Sequence, residues 1–171
     1  MDSRTTPANR DIPAAEPSRA VKFFASAAFT GYFPVASGTA GSALALALYC
    51  IPGFESPLFL GGISAAVFVF GVKAASLMEI RYGHDPGEVT IDEVTGMWIS
   101  LLFLPKTLPV GLCAFVLFRL FDIVKPVPAS TFDRMNGGFG IMMDDVTAGV
   151  YANITVQALL LIPAVHSLLL R

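Results

Sequence analysis

The chain has 171 residues, of which 54% are hydrophobic and only 14% charged, with a formal net charge of −2 and a mean hydropathy of +0.67. Soluble domains carry roughly 25% charged residues, so this composition indicates an integral or interface-embedded membrane protein, long enough for one domain with a sizeable core. The near-neutral balance excludes a broad basic face for nucleic acid, and His84 and His166, the only histidines, are too few for a His-rich zinc site.

Residues 1–19 are polar and contain Pro7, Pro13 and Pro17. They read as a disordered tail whose arginines favour a cytoplasmic N-terminus under the positive-inside rule, with no signal-peptide pattern. Residues 20–171 read as a single domain. The apolar, aromatic stretch 23–33 suggests an interfacial or core helix. Residues 34–42 form a loop leading into 43–51, a piece too short to span a bilayer. Residues 58–78 are a spanning candidate if Lys73 snorkels.

The polar segment 79–88 carries the turn signal Asp85-Pro86-Gly87, and its His84 reads as a solvated loop residue rather than a base near a site. A helix starting near Thr90 then bears Asp92 and Glu93 in its early turns. Residues 97–121 are a second membrane candidate, interrupted by Pro105-Lys106. That interruption leaves open two short helices, one kinked span, or helices packed in the core. Lys125-Pro126 and Pro128 end this stretch. Residues 129–145 read as a polar segment whose Gly137, Gly138 and Gly140 suit a flexible connector better than a phosphate-binding loop, and 146–170, free of charge, as the strongest transmembrane candidate. No run alternates with period two over strand length. The expected fold is all-α: a helical bundle partly embedded in the membrane, with polar helix ends and loops forming the site. Cys50 and Cys113, without CxxC spacing, read as buried, reduced packing residues.

In so weakly charged a chain, two acidic pairs stand at the edges of apolar runs: Asp92-Glu93 and Asp144-Asp145. Carboxylates there are costly unless a cation compensates them, and hard divalent cations take oxygen ligands. The bland readings are an acidic first helical turn for the first pair and N-capping of the last helix for the second. Arg119, Asp122 and Lys125 recur at i, i+3 and i+6. Arg119 and Asp122 then share a helical face, and the two cations suit either a phosphate clamp or an interfacial ion pair with a snorkelling lysine. Gly38-Thr39-Ala40-Gly41-Ser42 opens a helix, which suits an anion but equally a close packing contact. Trp98 and Met97 read as packing or interfacial residues. A phosphate-binding P-loop, a thiol-phosphatase Cys–Arg spacing and an aspartyl-phosphate DxDx[TV] pattern are absent.

The ordered blocks are 34–42 (PVASGTAGS), His84-Asp85, 91–98 (IDEVTGMW), 118–126 (FRLFDIVKP), Phe132-Asp133-Arg134, Gly137-Gly138-Phe139-Gly140 and 143–149 (MDDVTAG). In order and spacing they closely resemble the phosphatidylglycerophosphatase A family across residues 30–150. Two departures are Ser37, where a proline is familiar, and Val127, where a tryptophan is expected. Neither touches the charged residues.

The resemblance implies an all-α bacterial inner-membrane lipid phosphatase, a phosphoric monoester hydrolase of glycerophospholipid biosynthesis. It implies a site facing the cytoplasm and Mg2+-dependent conversion of phosphatidylglycerophosphate to phosphatidylglycerol, with membrane lipids as surroundings and no nucleic-acid partner. On that footing Asp92, Glu93, Asp144 and Asp145 are the expected Mg2+ ligands, with Asp122 a fifth catalytic carboxylate. Arg119, Lys125 and Arg134 are expected to neutralise the phosphoryl group, and Gly38, Thr39 and Gly41 to cradle it. Attack by water and an aspartyl acyl-phosphate both fit these residues. The rival class is a cation-binding transporter or channel without phosphatase activity. A CDP-alcohol phosphotransferase and a histidine-based lipid phosphatase are disfavoured, because their sequence patterns are missing.

Overall fold

The computed structural model describes residues 15–170. Most of the expected 1–19 tail lies outside the described residues. Among the described residues the chain is all-helical: α1 (Arg19–Ala25), a 3-10 turn (Thr30–Tyr32), α2 (Ser37–Tyr49), α3 (Pro57–Tyr82), α4 (Ile91–Leu101), α5 (Leu108–Val124), α6 (Ala129–Asp133), α7 (Gly138–Leu160) and α8 (Pro163–Leu169).

Local chemistry sets the helix ends. Ser56 caps α3, its hydroxyl accepting from the Phe59 N–H, and Pro57 occupies the first turn, where no N–H is needed. Gly83, at φ 99°, stops α3 in a backbone region that glycine enters without penalty. Thr107 caps α5 in the same way as Ser56 caps α3. That helix ends at Lys125, which is left-handed and precedes Pro126.

The helices divide two of the long apolar runs. The candidate 97–121 is not one helix, because α4 stops at Leu101 and α5 begins at Leu108. Between them Phe103 is left-handed and Pro105 cannot donate a helical hydrogen bond. Asn153 of α7 covers the break, donating to the carbonyls of Ser100 (3.0 Å) and Leu102 (2.7 Å) and so satisfying helix-end acceptors. The candidate 146–170 is likewise divided. α7 and α8 meet at 108° across Leu161-Ile162, just before Pro163. Among the described residues, α3 alone is an unbroken helix long and apolar enough to cross a membrane.

The short helix α4 is the hub. Ile91, Val94, Met97, Trp98 and Leu101 are all buried, and the Trp98 indole donates to the Ala45 carbonyl of α2 at 3.0 Å. On its other side α4 meets α7 backbone to backbone. A Cβ at Gly96 would lie 2.6 Å from the Asp145 carbonyl and 2.6 Å from the Phe118 ring, and one at Gly149 would strike the Gly96 carbonyl. Asp92 lies one turn before Gly96, and Asp145 one turn before Gly149. The glycine contact therefore brings both acidic pairs to the same end of the bundle. Among the described residues, the opposite end carries the Lys106–Glu55 pair at 2.7 Å. Between the ends, the outer faces of α3, α5 and α7 expose Leu58, Phe70, Val116 and Ile154. Cys113 is half-buried, but Cys50, which follows α2, is exposed rather than buried; both thiols are free.

Candidate active site

The start of α4 contributes Asp92 and Glu93, the last turns of α5 contribute Arg119, Asp122 and Lys125, and the second turn of α7 contributes Asp144 and Asp145. The α7 pair does not cap its helix, as one sequence reading had it. α7 begins at Gly138, well before Asp144, so both aspartates are helical and buried.

Two carboxylate trios form. Asp92, Glu93 and Asp145 bring one oxygen each within 4.8 Å of one another, and so do Asp122, Asp144 and Asp145. Asp145 belongs to both. Two of the carboxylates are steered by local bonds: Asp92 Oδ1 accepts from the Glu93 N–H (3.0 Å) and Asp144 Oδ1 from the Asp145 N–H (2.9 Å).

Two cations border this cluster. Arg119 Nη1 lies 2.9 Å from Asp122 Oδ2 and 3.9 Å from Glu93 Oε1, the first being the i, i+3 pair that helical spacing predicts. Lys125 Nζ binds Asp144 Oδ2 at 2.6 Å and also Asp133. Burial works against the Lys125 ammonium, but its bonds to Asp133 and Asp144 outweigh that and hold its pKa above the usual lysine value.

Three buried atoms here have no hydrogen-bond partner: Glu93 Oε2, Asp145 Oδ2 and Arg119 Nε. Such groups are costly in a fold unless something else satisfies them. Burial raises the pKa of Asp92, opposed by its bond to Glu93. Burial and then the neighbouring Asp92 charge raise that of Glu93 more strongly. Unpartnered oxygens among clustered carboxylates are a donor set that suits a hard divalent cation, so the residues fit the Mg2+ that the resemblance implies.

α2 points its N-terminus at this cluster. Its N-cap Ala36 offers no side-chain bond to the first-turn N–H groups. A Cβ at Gly38 would collide with Glu93 Oε1 and come within 3.0 Å of Arg119 Nη1, and one at Gly41 would come within 2.9 Å of the Thr90 side chain. Gly38 therefore adjoins the charged site, while Gly41 seats α2 on the start of α4. Thr39 is exposed, and so is Arg134, which makes no ion pair among the described residues. Neither of these two is brought onto the carboxylates.

Gly137 and Gly138, weighed as a phosphate loop, have spent their N–H groups. Gly137 donates to Glu79 Oε2 (2.6 Å) and Gly138 to Ser76 Oγ (2.9 Å), which anchors α7 on α3. His84 is not simply solvated. Its ring nitrogens lie 2.9 Å from Glu79 Oε1 and 2.9 Å from the Asp133 carbonyl.

Asp85, Asp133 and Ser42 are not among the expected site residues, although Asp133 suits either a continuation of the polar cluster or a surface pair. Asp133 is a Lys125 partner, and the Ser42 hydroxyl lies 3.5 Å from Arg119 Nη1. Solvent reaches Asp85, yet the protein packed around it raises its pKa, with Lys125 opposing. Asp85 is left-handed at φ 44°, a conformation the Asp-Pro-Gly turn signal only hinted at.

No solved structure matches the chain. A Bacteroides thetaiotaomicron protein, provisionally named a phosphatidylinositol-3-phosphatase, is 42% identical over 135 residues, 74% of this chain and 85% of that protein. Proteins named phosphatidylglycerophosphatase A from Escherichia coli and Haemophilus influenzae are 37% and 38% identical over 128 and 123 residues. These alignments take in 71% and 70% of this chain, and 72% and 74% of the two proteins. The family described as phosphatidylglycerophosphatase A matches residues 23–160, a span that holds every carboxylate and cation of the site, and the chain is a phosphatase belonging to that family.

Proposed function

We propose that this chain hydrolyses the terminal phosphate monoester of phosphatidylglycerophosphate at a bacterial membrane surface, using Mg2+. The observation that carries the reading is the convergence of five carboxylates with Arg119 and Lys125, with unpartnered Glu93 Oε2 and Asp145 Oδ2 among them. The exposed apolar flanks of α3, α5 and α7 suit hydrocarbon, and the charged end suits a head group at the interface. A substrate whose acyl chains stay in the bilayer would then present its phosphate to the helix ends.

Asp92, Glu93, Asp144 and Asp145 would hold the cation. Bound there, Mg2+ supplies positive charge to the phosphoryl oxygens and a water of lowered pKa. Arg119, fixed by Asp122, directs its guanidinium towards a phosphate beside the α2 N-terminus. Lys125, fixed by Asp133 and Asp144, adds a second positive charge. The first-turn N–H groups of α2 at Gly38 contribute aligned donors to the same anion.

The Bacteroides relative is named for a different lipid. Both named substrates carry a phosphate monoester on the polyol head group of a diacylglycerol lipid. Purified protein in neutral detergent should release phosphate from phosphatidylglycerophosphate faster than from phosphatidylinositol 3-phosphate. Asp92→Asn and Asp145→Asn should abolish release from both while keeping helical circular dichroism. Full activity in both variants would overturn the assignment, and a preference for the inositol lipid would overturn the substrate.

A further inference from the structure

The two trios meet at Asp145, and one divalent cation does not balance them. Five carboxylates (Asp92, Glu93, Asp122, Asp144 and Asp145) face two cations, Arg119 and Lys125, leaving three negative charges before Asp133 and Asp85 are counted. A single divalent ion leaves that set negative, facing a phosphate monoester that is itself close to a dianion. A second ion turns those seven groups positive, and with Asp133 and Asp85 included it leaves one negative charge where a single ion leaves three.

The bonding points the same way. Arg119 and Lys125 reach Asp122 and Asp144, but neither is bonded to Asp145. Asp145 is 3% exposed, and its Oδ2 has no donor. In the other trio Glu93 Oε2 is equally bare. A buried carboxylate shared by two oxygen-lined groups, with an unused oxygen, has the connectivity of a bridging ligand.

We propose that the site binds two divalent cations per chain, one among Asp92, Glu93 and Asp145 and one among Asp122, Asp144 and Asp145, with Asp145 as the shared ligand. This rests on the metal-dependent reading above and adds a second ion to it. The competing way to shed the charge is a proton on one carboxylate, which predicts a single ion.

The test uses Mn2+ as the probe, with the full chain in a neutral detergent at pH 8. Equilibrium dialysis should saturate at two Mn2+ per chain, and the electron paramagnetic resonance spectrum at saturation should show a spin-coupled pair. Asp122→Asn should reduce binding to one uncoupled Mn2+, and Asp92→Asn should do the same from the other trio. Saturation of the wild-type chain at one uncoupled Mn2+ overturns the second ion but leaves the one-metal reading standing. Phosphate release in chelator with no Mn2+ bound overturns both. Because the wild-type stoichiometry decides the matter, a variant that fails to fold does not blunt the test.

Discussion

Replacing Asp145 by asparagine should make the metal-free protein more stable and the enzyme inactive. In the bundle the Asp145 carboxylate lies among Asp92, Glu93, Asp122 and Asp144, with trio oxygens within 4.8 Å and no donor on Oδ2. Two like charges at that separation repel by about 3.5 kcal/mol at an effective dielectric constant near 20. Proton uptake by the cluster relieves part of this, so the net gain on removing one charge is on the order of 1–3 kcal/mol. The asparagine amide also gives the neighbouring carboxylates a donor. For a chain of this length each kcal/mol shifts the melting temperature by roughly 2–4 °C. Thermal unfolding in neutral detergent at pH 8 with EDTA should therefore place Asp145→Asn about 2–12 °C above wild type. Added Mg2+ should raise the wild-type midpoint, because it binds only the folded site, and leave the variant nearly unmoved. Phosphate release should fall by a factor of about 100 to 1,000, the scale of losing a group that acts on the transition state. A metal-free variant that melts below wild type, or one that keeps its activity, would refute the reasoning.

Three further outcomes are expected. Arg119→Lys keeps the charge but loses the planar fork held by Asp122 at 2.9 Å; kcat/KM should drop about 10- to 100-fold with little change in melting temperature, and unchanged kinetics would remove Arg119 from the phosphate. Gly96→Ala pushes a methyl to 2.6 Å from the Asp145 carbonyl and the Phe118 ring. It should cost about 1–3 kcal/mol in stability and also lower activity, because it parts the two helices that carry the acids; a neutral result in both would show that α4 and α7 do not pack this way. The His84 pKa is raised by its bond to Glu79 and then by the Asp133 carbonyl. That pairing should stabilise the fold fully below the unfolded histidine pKa of about 6.5 and less as pH rises through the elevated folded value. The melting-temperature gap between wild type and His84→Gln should accordingly be wider at pH 6 than at pH 9, and a gap that widens with pH would reverse the assignment.

What could be read from the sequence follows how local each feature is. The Arg119–Asp122 contact needed only helical spacing, and the stop at Lys125-Pro126 needed only turn chemistry, whereas α3 runs to Tyr82, four residues past the expected end at Met78. Asp92 and Glu93 stood out because carboxylates beside an apolar run call for a partner. Their meeting with Asp145 was suggested by the repeated pairing, but its cause was not legible. That cause is the Gly96–Gly149 backbone contact, which lies 53 residues apart in the chain. Gly137 and Gly138 read as a flexible connector rather than an anchored helix start for the same reason, since the acceptors that claim their N–H groups sit on α3, at separations of 58 and 62 residues. The 97–121 run concealed a loop because its residues stay apolar through the break. Pro105 marked the spot, but only Asn153 on α7 explains why the free carbonyls tolerate it.

The proposed activity is that of a metal-dependent phosphomonoesterase acting on a lipid head group. Its most direct test is inorganic phosphate released from phosphatidylglycerophosphate by the purified chain, measured across a Mg2+ titration and again after chelation. Release should rise and saturate with Mg2+ and fall at least about 100-fold in EDTA, the scale of removing one transition-state charge stabiliser. Undiminished release in EDTA would contradict it, and so would cation flux through reconstituted vesicles with no phosphate released.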